Sequence, residues 1–180
     1  MGRYLKDTGL VLAKKDFLRE GRLITIFTRN YGKIVLFAYG TQKITSKRIA
    51  HLETGNYITF SFYKRLGAYY LSETELLYGH SQIKKTPAKL TLLFLLFFIL
   101  HNILAEGEKE EKIFDITLSA LKDLNNNISF TMYHLSLYLS HILMVSGFLD
   151  QETAQESSFD VLHFIEDLVG RRIKDRISFD

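Results

Sequence analysis

The chain has 180 residues, with 23 Lys and Arg against 20 Asp and Glu, 47% hydrophobic residues, and neither Cys nor Trp. That length suits one domain or two small ones, and the ordinary balance of apolar and charged residues excludes general disorder. The absence of cysteine excludes disulfides, thiolate zinc sites, iron–sulfur clusters and a cysteine nucleophile together.

The first half reads as strands. Leu10–Leu12, Leu23–Phe27, Ile34–Phe37, Tyr57–Phe62 and Ala68–Leu71 are rich in β-branched and aromatic residues. Asn30–Tyr31–Gly32, Gly40, Gly55–Asn56 and Gly67 punctuate them. Five short strands in one small region predict a small closed barrel. The single proline, Pro87, follows Thr86 and makes an N-cap and N1 pair, so helices are expected to begin there. Lys89–Leu104, Lys112–Leu124, Ile128–Ser146 and Phe159–Arg172 show helical periodicity and predict an α-helical bundle. The fold class is therefore α+β, with a barrel domain over 1–83 and a helical domain over 84–180. Leu90–Leu104 is apolar all round and is expected to be the buried central helix.

Charge divides the chain in the same place. Residues 1–85 carry 15 basic and 6 acidic side chains, a net +9, while residues 86–180 carry 8 and 14, a net −6. Eight of the ten Tyr lie in the basic part and nine of the fourteen Phe in the acidic part, which points to a wet, stacking surface in one and an apolar core in the other. On Tyr57–Lys64, strand parity turns Ile58, Phe60 and Phe62 inward and Tyr57, Thr59, Ser61 and Tyr63 outward. Outward tyrosines among Lys and Arg suit a nucleic acid, because cations neutralise phosphates while rings stack on bases. The candidate binding residues are Arg22, Arg29, Lys33, Lys43, Lys47, Arg48, Tyr57, Tyr63, Lys64 and Arg65. Arg29, Lys33, Lys47, Arg48, Tyr57 and Tyr63 are expected to form one continuous track. The loop Lys43–Arg48 joins hydroxyl, amide and cationic groups, a set that suits phosphate.

Nothing in the chain reads as catalytic, and no cofactor is expected. His134 and His141, seven apart on one helix face, have Tyr138 between them and no carboxylate at metal-ligand spacing, so the six histidines read as core or surface residues. Glu106, Glu108, Glu110 and Glu111 lack the glycine and spacing of a calcium loop and read as a solvated inter-helix turn. There is no Walker lysine motif, no G-x-S-x-G and no dinucleotide fingerprint. MGRYLKDTGL has no apolar core of a signal peptide, and the longest apolar run, Leu92–Leu100, is too short to span a bilayer. A soluble, cytoplasmic protein is expected.

Several segments resemble the RecO recombination-mediator family. They are Gly9–Leu12, the acidic–glycine turn Glu20–Gly21, and Leu23–Lys33, followed by Ala38–Tyr39–Gly40 and the basic loop Lys43–Arg48. Val161–Lys174, with its hydrophobic start and Gly-Arg-Arg ending, is similar to the family's closing helix. The order of these segments, rather than one motif, carries the resemblance. One departure is plain: many members carry a four-cysteine zinc element before the closing helix, where this chain has the polar segment Asp150–Ser158.

The resemblance implies a barrel of the OB-fold kind and a non-enzymatic DNA-binding mediator of DNA repair and homologous recombination, associated with the bacterial nucleoid. It implies binding of single- and double-stranded DNA, annealing of complementary strands, and work beside a RecR-type mediator. It implies loading of a RecA-type recombinase onto DNA coated by single-strand-binding protein, whose acidic C-terminal tail would meet the helical domain. Lys109, Lys112 and Lys122 are the nearest cations for that tail, though each also reads as a solvated helix charge. Two other functions fit the residues alone. One is an RNA-binding OB-fold adaptor, and the other a structural interaction protein acting through its acidic helical half.

Overall fold

The computed structural model describes residues 4–17, 21–39, 50–156 and 159–173. They form two compact units. One contains the chain up to Gly79 together with Leu104–Glu111, and the other contains His80–Ile103 and the chain from Lys112 onward.

The first unit is a barrel of five strands: β1 Leu5–Phe17, β2 Gly21–Thr28, β3 Gly32–Tyr39, β4 Tyr57–Arg65 and β5 Ala68–Tyr78. It closes in the order β1-β2-β3-β5-β4, the arrangement of an OB-fold barrel. All neighbours are antiparallel except β3 and β5, which among the described residues meet in parallel through only Leu36↔Tyr69 and Phe37↔Tyr70. Sequence parity on β4 holds, since Ile58, Phe60 and Phe62 are at most 1% exposed while Tyr57, Thr59, Ser61 and Tyr63 are half-buried on the outside. Ile24, Ile26, Ile34 and Leu36 meet them in the core. Fully burying such a side chain contributes about 1.5–3 kcal/mol. β1 runs well beyond the expected Leu10–Leu12 because it pairs with β2 along one length and with β4 along another, with a register shift between Val11 and Ala13. The buried carboxylate of Asp7 accepts hydrogen bonds from the amides of Thr8 (2.8 Å) and Asn30 (3.0 Å) and from Asn30 Nδ2 (2.8 Å). It thereby ties the start of β1 to the turn between β2 and β3.

The second unit contains α1 Ser81–Lys85, α2 Pro87–Ile103, α3 Glu111–Asn126, α4 Met132–Val145, α5 Gln151–Ala154 and α6 Val161–Val169. α2 packs against α4 and α6, which also pack against each other. Leu92, Leu93, Leu95, Leu96, Ile99 and Leu100 are buried, which places α2 at the centre, although Phe94 is exposed. Among the described residues no helix is long and apolar enough to cross a membrane.

Helix ends differ from the periodicity for local reasons. α4 starts at Met132 rather than Ile128. Asn127 Oδ1 accepts from Ser129 N (2.9 Å), which turns the chain, and Thr131 N donates to His134 Nδ1 (3.2 Å) in a capping box. Asp160 caps α6 by accepting from Leu162 N (2.8 Å), and Gly170, at φ +66°, ends it before the two arginines. At the start of the polar segment where the resemblance implies a zinc element in many members, Asp150 caps α5 by accepting from Thr153 N (2.8 Å) and Oγ1 (2.9 Å). That segment has no thiolate and does not fit the zinc element.

Candidate nucleic-acid interface

Outward parity on three strands brings a set of rings together. Phe37 and Tyr39 lie on β3, Tyr70 on β5 and Tyr63 on β4. Phe37 stacks on Tyr70 at 5.4 Å between centroids, Tyr39 stacks on Tyr70 at 6.2 Å, and Tyr70 stacks on Tyr63 at 5.4 Å. Phe17 extends the row edge-on from Phe37 (5.1 Å), and Tyr4 edge-on from Tyr63 (5.4 Å). Tyr39 and Tyr4 are 52% and 65% exposed, while Phe17, Phe37, Tyr63 and Tyr70 are half-buried. The row crosses the short β3–β5 seam and offers π surface beside cations, the combination that holds unpaired bases.

The cations fall into three groups. Lys64 and Arg65 are exposed at the end of β4, and no ion pair among the described residues engages either. Lys64 Nζ lies 5.5 Å from the Tyr69 ring centroid. Others are paired within the barrel unit: Arg22 Nε donates to Asp16 Oδ1 (2.9 Å) and Lys14 Nζ to Glu53 Oε1 (2.5 Å). Exposed pairs of this kind are weak, on the order of 0–1 kcal/mol, so a phosphate can compete for them.

The third group lies under an acidic strap. Leu104–Glu111, which holds the four glutamates expected in a solvated inter-helix turn, belongs to the barrel unit. Gly107 N donates to Lys33 O (2.9 Å), Glu106 forms a bridge with Lys33, and Arg29 donates to Glu111 Oε1 (3.2 Å). Burial lowers the Lys33 pKa, an effect partly offset by the charge of Glu106. Hydrogen bonding and charge from Lys109, 3.0 Å away, together with Arg29, hold the Glu111 carboxyl below its ordinary 4.5. A lowered carboxyl pKa stabilises the docked state above the unfolded value, and that contribution disappears as pH falls through the lowered one. The Glu111 carboxyl carbon shift should therefore have its midpoint below 4.5. A midpoint at or above 4.5 would remove the ion pair from the account.

The residues singled out from sequence thus lie in different places. Tyr63, Lys64 and Arg65 share one end of β4. Tyr57 lies at the other end of that strand, opposite Tyr78, roughly 20 Å from Tyr63 at the usual strand rise. Arg29 and Lys33 contact the strap, Arg22 contacts Asp16, and Lys43, Lys47 and Arg48 lie outside the described residues. Lys109 contacts Glu111, and Lys112 and Lys122 are exposed on α3. The rings of Phe37, Tyr39 and Tyr70 were missed. Parity applied to Lys33–Tyr39, as on β4, would have turned Phe37 and Tyr39 outward.

Among the described residues no cluster of three or more His, Asp or Glu could hold a metal ion. Burial, aided by its hydrogen bond to Asp123, pushes the Tyr138 hydroxyl up to about 12, so it stays protonated at neutral pH.

A closed five-stranded barrel with outward-facing stacked rings and exposed cations defines an oligonucleotide-binding-fold domain. Residues 1–80 match the family model described as Recombination protein O N terminal. The matched stretch is the barrel, and the likeness to RecO proteins continues into the helices. The chain is 24% identical to the DNA repair protein RecO of Caldanaerobacter subterraneus over 96% of its own length and 71% of the relative's. It is 23% identical to that of a Thermoanaerobacter species, over 83% of this chain and 60% of the relative. It is 27% identical to that of Rickettsia africae, over 72% and 54%. The chain therefore spans between about half and seven-tenths of these relatives.

Proposed function

We propose that this protein is a DNA-binding recombination mediator of DNA repair, acting by binding rather than by catalysis. The carrying observation is the outward-facing ring row on a barrel that also exposes Lys64 and Arg65 and is matched by the RecO family model. Phosphate contacts through the basic barrel supply affinity without sequence preference, and the rings retain unpaired bases. Single- and double-stranded DNA are the ligands, and annealing of complementary strands is the outcome of holding two of them. With a RecR-type partner, the protein assists loading of a RecA-type recombinase onto DNA coated by single-strand-binding protein, whose tail meets the helical unit. This reading makes it a nucleoid-associated protein of the bacterial cytoplasm.

The test is an annealing assay with strands coated by single-strand-binding protein, paired with competition between DNA and RNA of equal length. Faster annealing and preference for DNA support the reading. An unchanged rate, or preference for RNA, overturns it. The double substitution Lys64→Ala and Arg65→Ala should lower the slope of log affinity against log salt by about two contacts' worth, leaving the melting temperature nearly unchanged. An unaltered slope would remove both side chains from the interface.

A further inference from the structure

The β4–β5 hairpin turns on only two residues, Leu66 and Gly67, between the paired Arg65 and Ala68. Both have positive φ, +49° and +81°, the signature of a type I′ turn, whose first central position favours Asn, Asp or Gly. A leucine there is disfavoured twice. Its Cβ crowds the backbone in the left-handed region, and at 94% exposure its side chain gains no burial. A residue that breaks two local rules without local compensation marks a place to look for function.

Its surroundings indicate the ligand. Lys64 and Arg65 immediately precede it, exposed and without an ion pair among the described residues. Two rungs down the ladder, Tyr63 and Tyr70 pair and stack, within about 10 Å of the tip by strand rise. An apolar point, a cationic collar and an aromatic base, in that order, match a polyanion whose interior is a stack of flat apolar rings.

We propose that Leu66 is a wedge that enters the terminal base step where a DNA duplex meets a single strand. Lys64 and Arg65 hold the phosphates on either side, and the freed base stacks toward Tyr63 and Tyr70. A junction suits a single wedge better than duplex interior does, because its last step is already partly free to unstack. This inference rests on the DNA-binding reading above and assigns one place within it.

The experiment uses the full chain and a tailed DNA duplex carrying 2-aminopurine at the junction pair. Wild type should raise 2-aminopurine fluorescence severalfold on saturation. Leu66→Asn, which suits the turn better, should melt no lower than wild type yet lose that signal and bind the junction about tenfold more weakly. Its affinity for plain single strands should stay within about twofold, and Leu66→Met, which keeps an apolar tip, should retain the signal. Wild-type fluorescence and junction affinity in Leu66→Asn would overturn the wedge alone. Absence of any DNA binding by wild type would overturn the wedge and the proposed function together. Leu66-dependent flotation with phosphatidylglycerol vesicles and no junction signal would also overturn it, placing the leucine at a lipid surface.

Discussion

Replacing Gly32 by Val should remove about 3 kcal/mol or more of the barrel's unfolding free energy and release the acidic strap. Gly32 opens β3 at φ +65°, which a β-branched residue adopts only with strain. Space is a second obstacle. A Cβ here would sit 1.8 Å from the Glu108 carbonyl oxygen and 2.5 Å from its carbon, so backbone would have to move. The strap can leave only by breaking the hydrogen bond from Gly107 N to Lys33 O. Urea unfolding should show the loss, and exchange of the Gly107 amide in the native state should accelerate strongly. Gly67→Ala is the matched control. Its φ is +81°, yet nothing lies within 4 Å of the added Cβ, so it should lose only about 1 kcal/mol. Equal losses in both variants would show that conformation alone, without the strap, sets the requirement at Gly32.

Tyr70→Ala should be the other large effect, at about 2–4 kcal/mol. Tyr70 stacks on Phe37, Tyr39 and Tyr63, and such pairs contribute roughly 0.5–1.5 kcal/mol each beyond burial. It also lies on the seam where β3 and β5 share only two paired residues, so the rings hold together what the backbone joins weakly. In Tyr70→Leu, which restores apolar bulk, stability should return largely while affinity for single strands stays reduced by about 1–3 kcal/mol. That split separates a ring needed for closure from a ring needed by the ligand. If Tyr70→Leu binds single strands as wild type does, the row serves the barrel only.

Much of this fold was legible in the sequence because it is local. Ile58, Phe60 and Phe62 alternate with polar or tyrosyl neighbours, and period two settled which face of β4 is inside. The helices announced themselves through Pro87 and the apolar period that follows. What escaped reading is set between residues far apart in the chain. Polar Lys14–Asp16 joins β1 only because Arg22–Ile24 pairs with it, and Ser72–Tyr78 extends β5 because β4 runs alongside. No spacing could show that Phe37 and Tyr39 meet Tyr70, since a parallel seam fixed by barrel closure aligns them. The glutamates of the strap looked like any solvated turn, because Arg29 and Lys33 lie more than seventy residues upstream. The same limit scattered the candidate cations. Composition revealed a basic surface, but which cations face carboxylates and which face water depends on long-range contacts.

The strap also bears on how the protein is made. Barrel strands end at Tyr78, yet the segment that closes over Lys33 ends at Glu111, after the whole of α2 has been synthesised. At about 5–20 residues per second, translation leaves this side of the nascent barrel uncovered for roughly 2–6 s. During that interval the main chain of β3 at Lys33 has no partner from Gly107, and the β2–β3 turn meets solvent without the strap's carboxylates beside it. A nascent chain stalled once Tyr78, but not yet Gly107, has left the ribosome should therefore be cleaved by trypsin after Arg29 or Lys33 far faster than the finished protein.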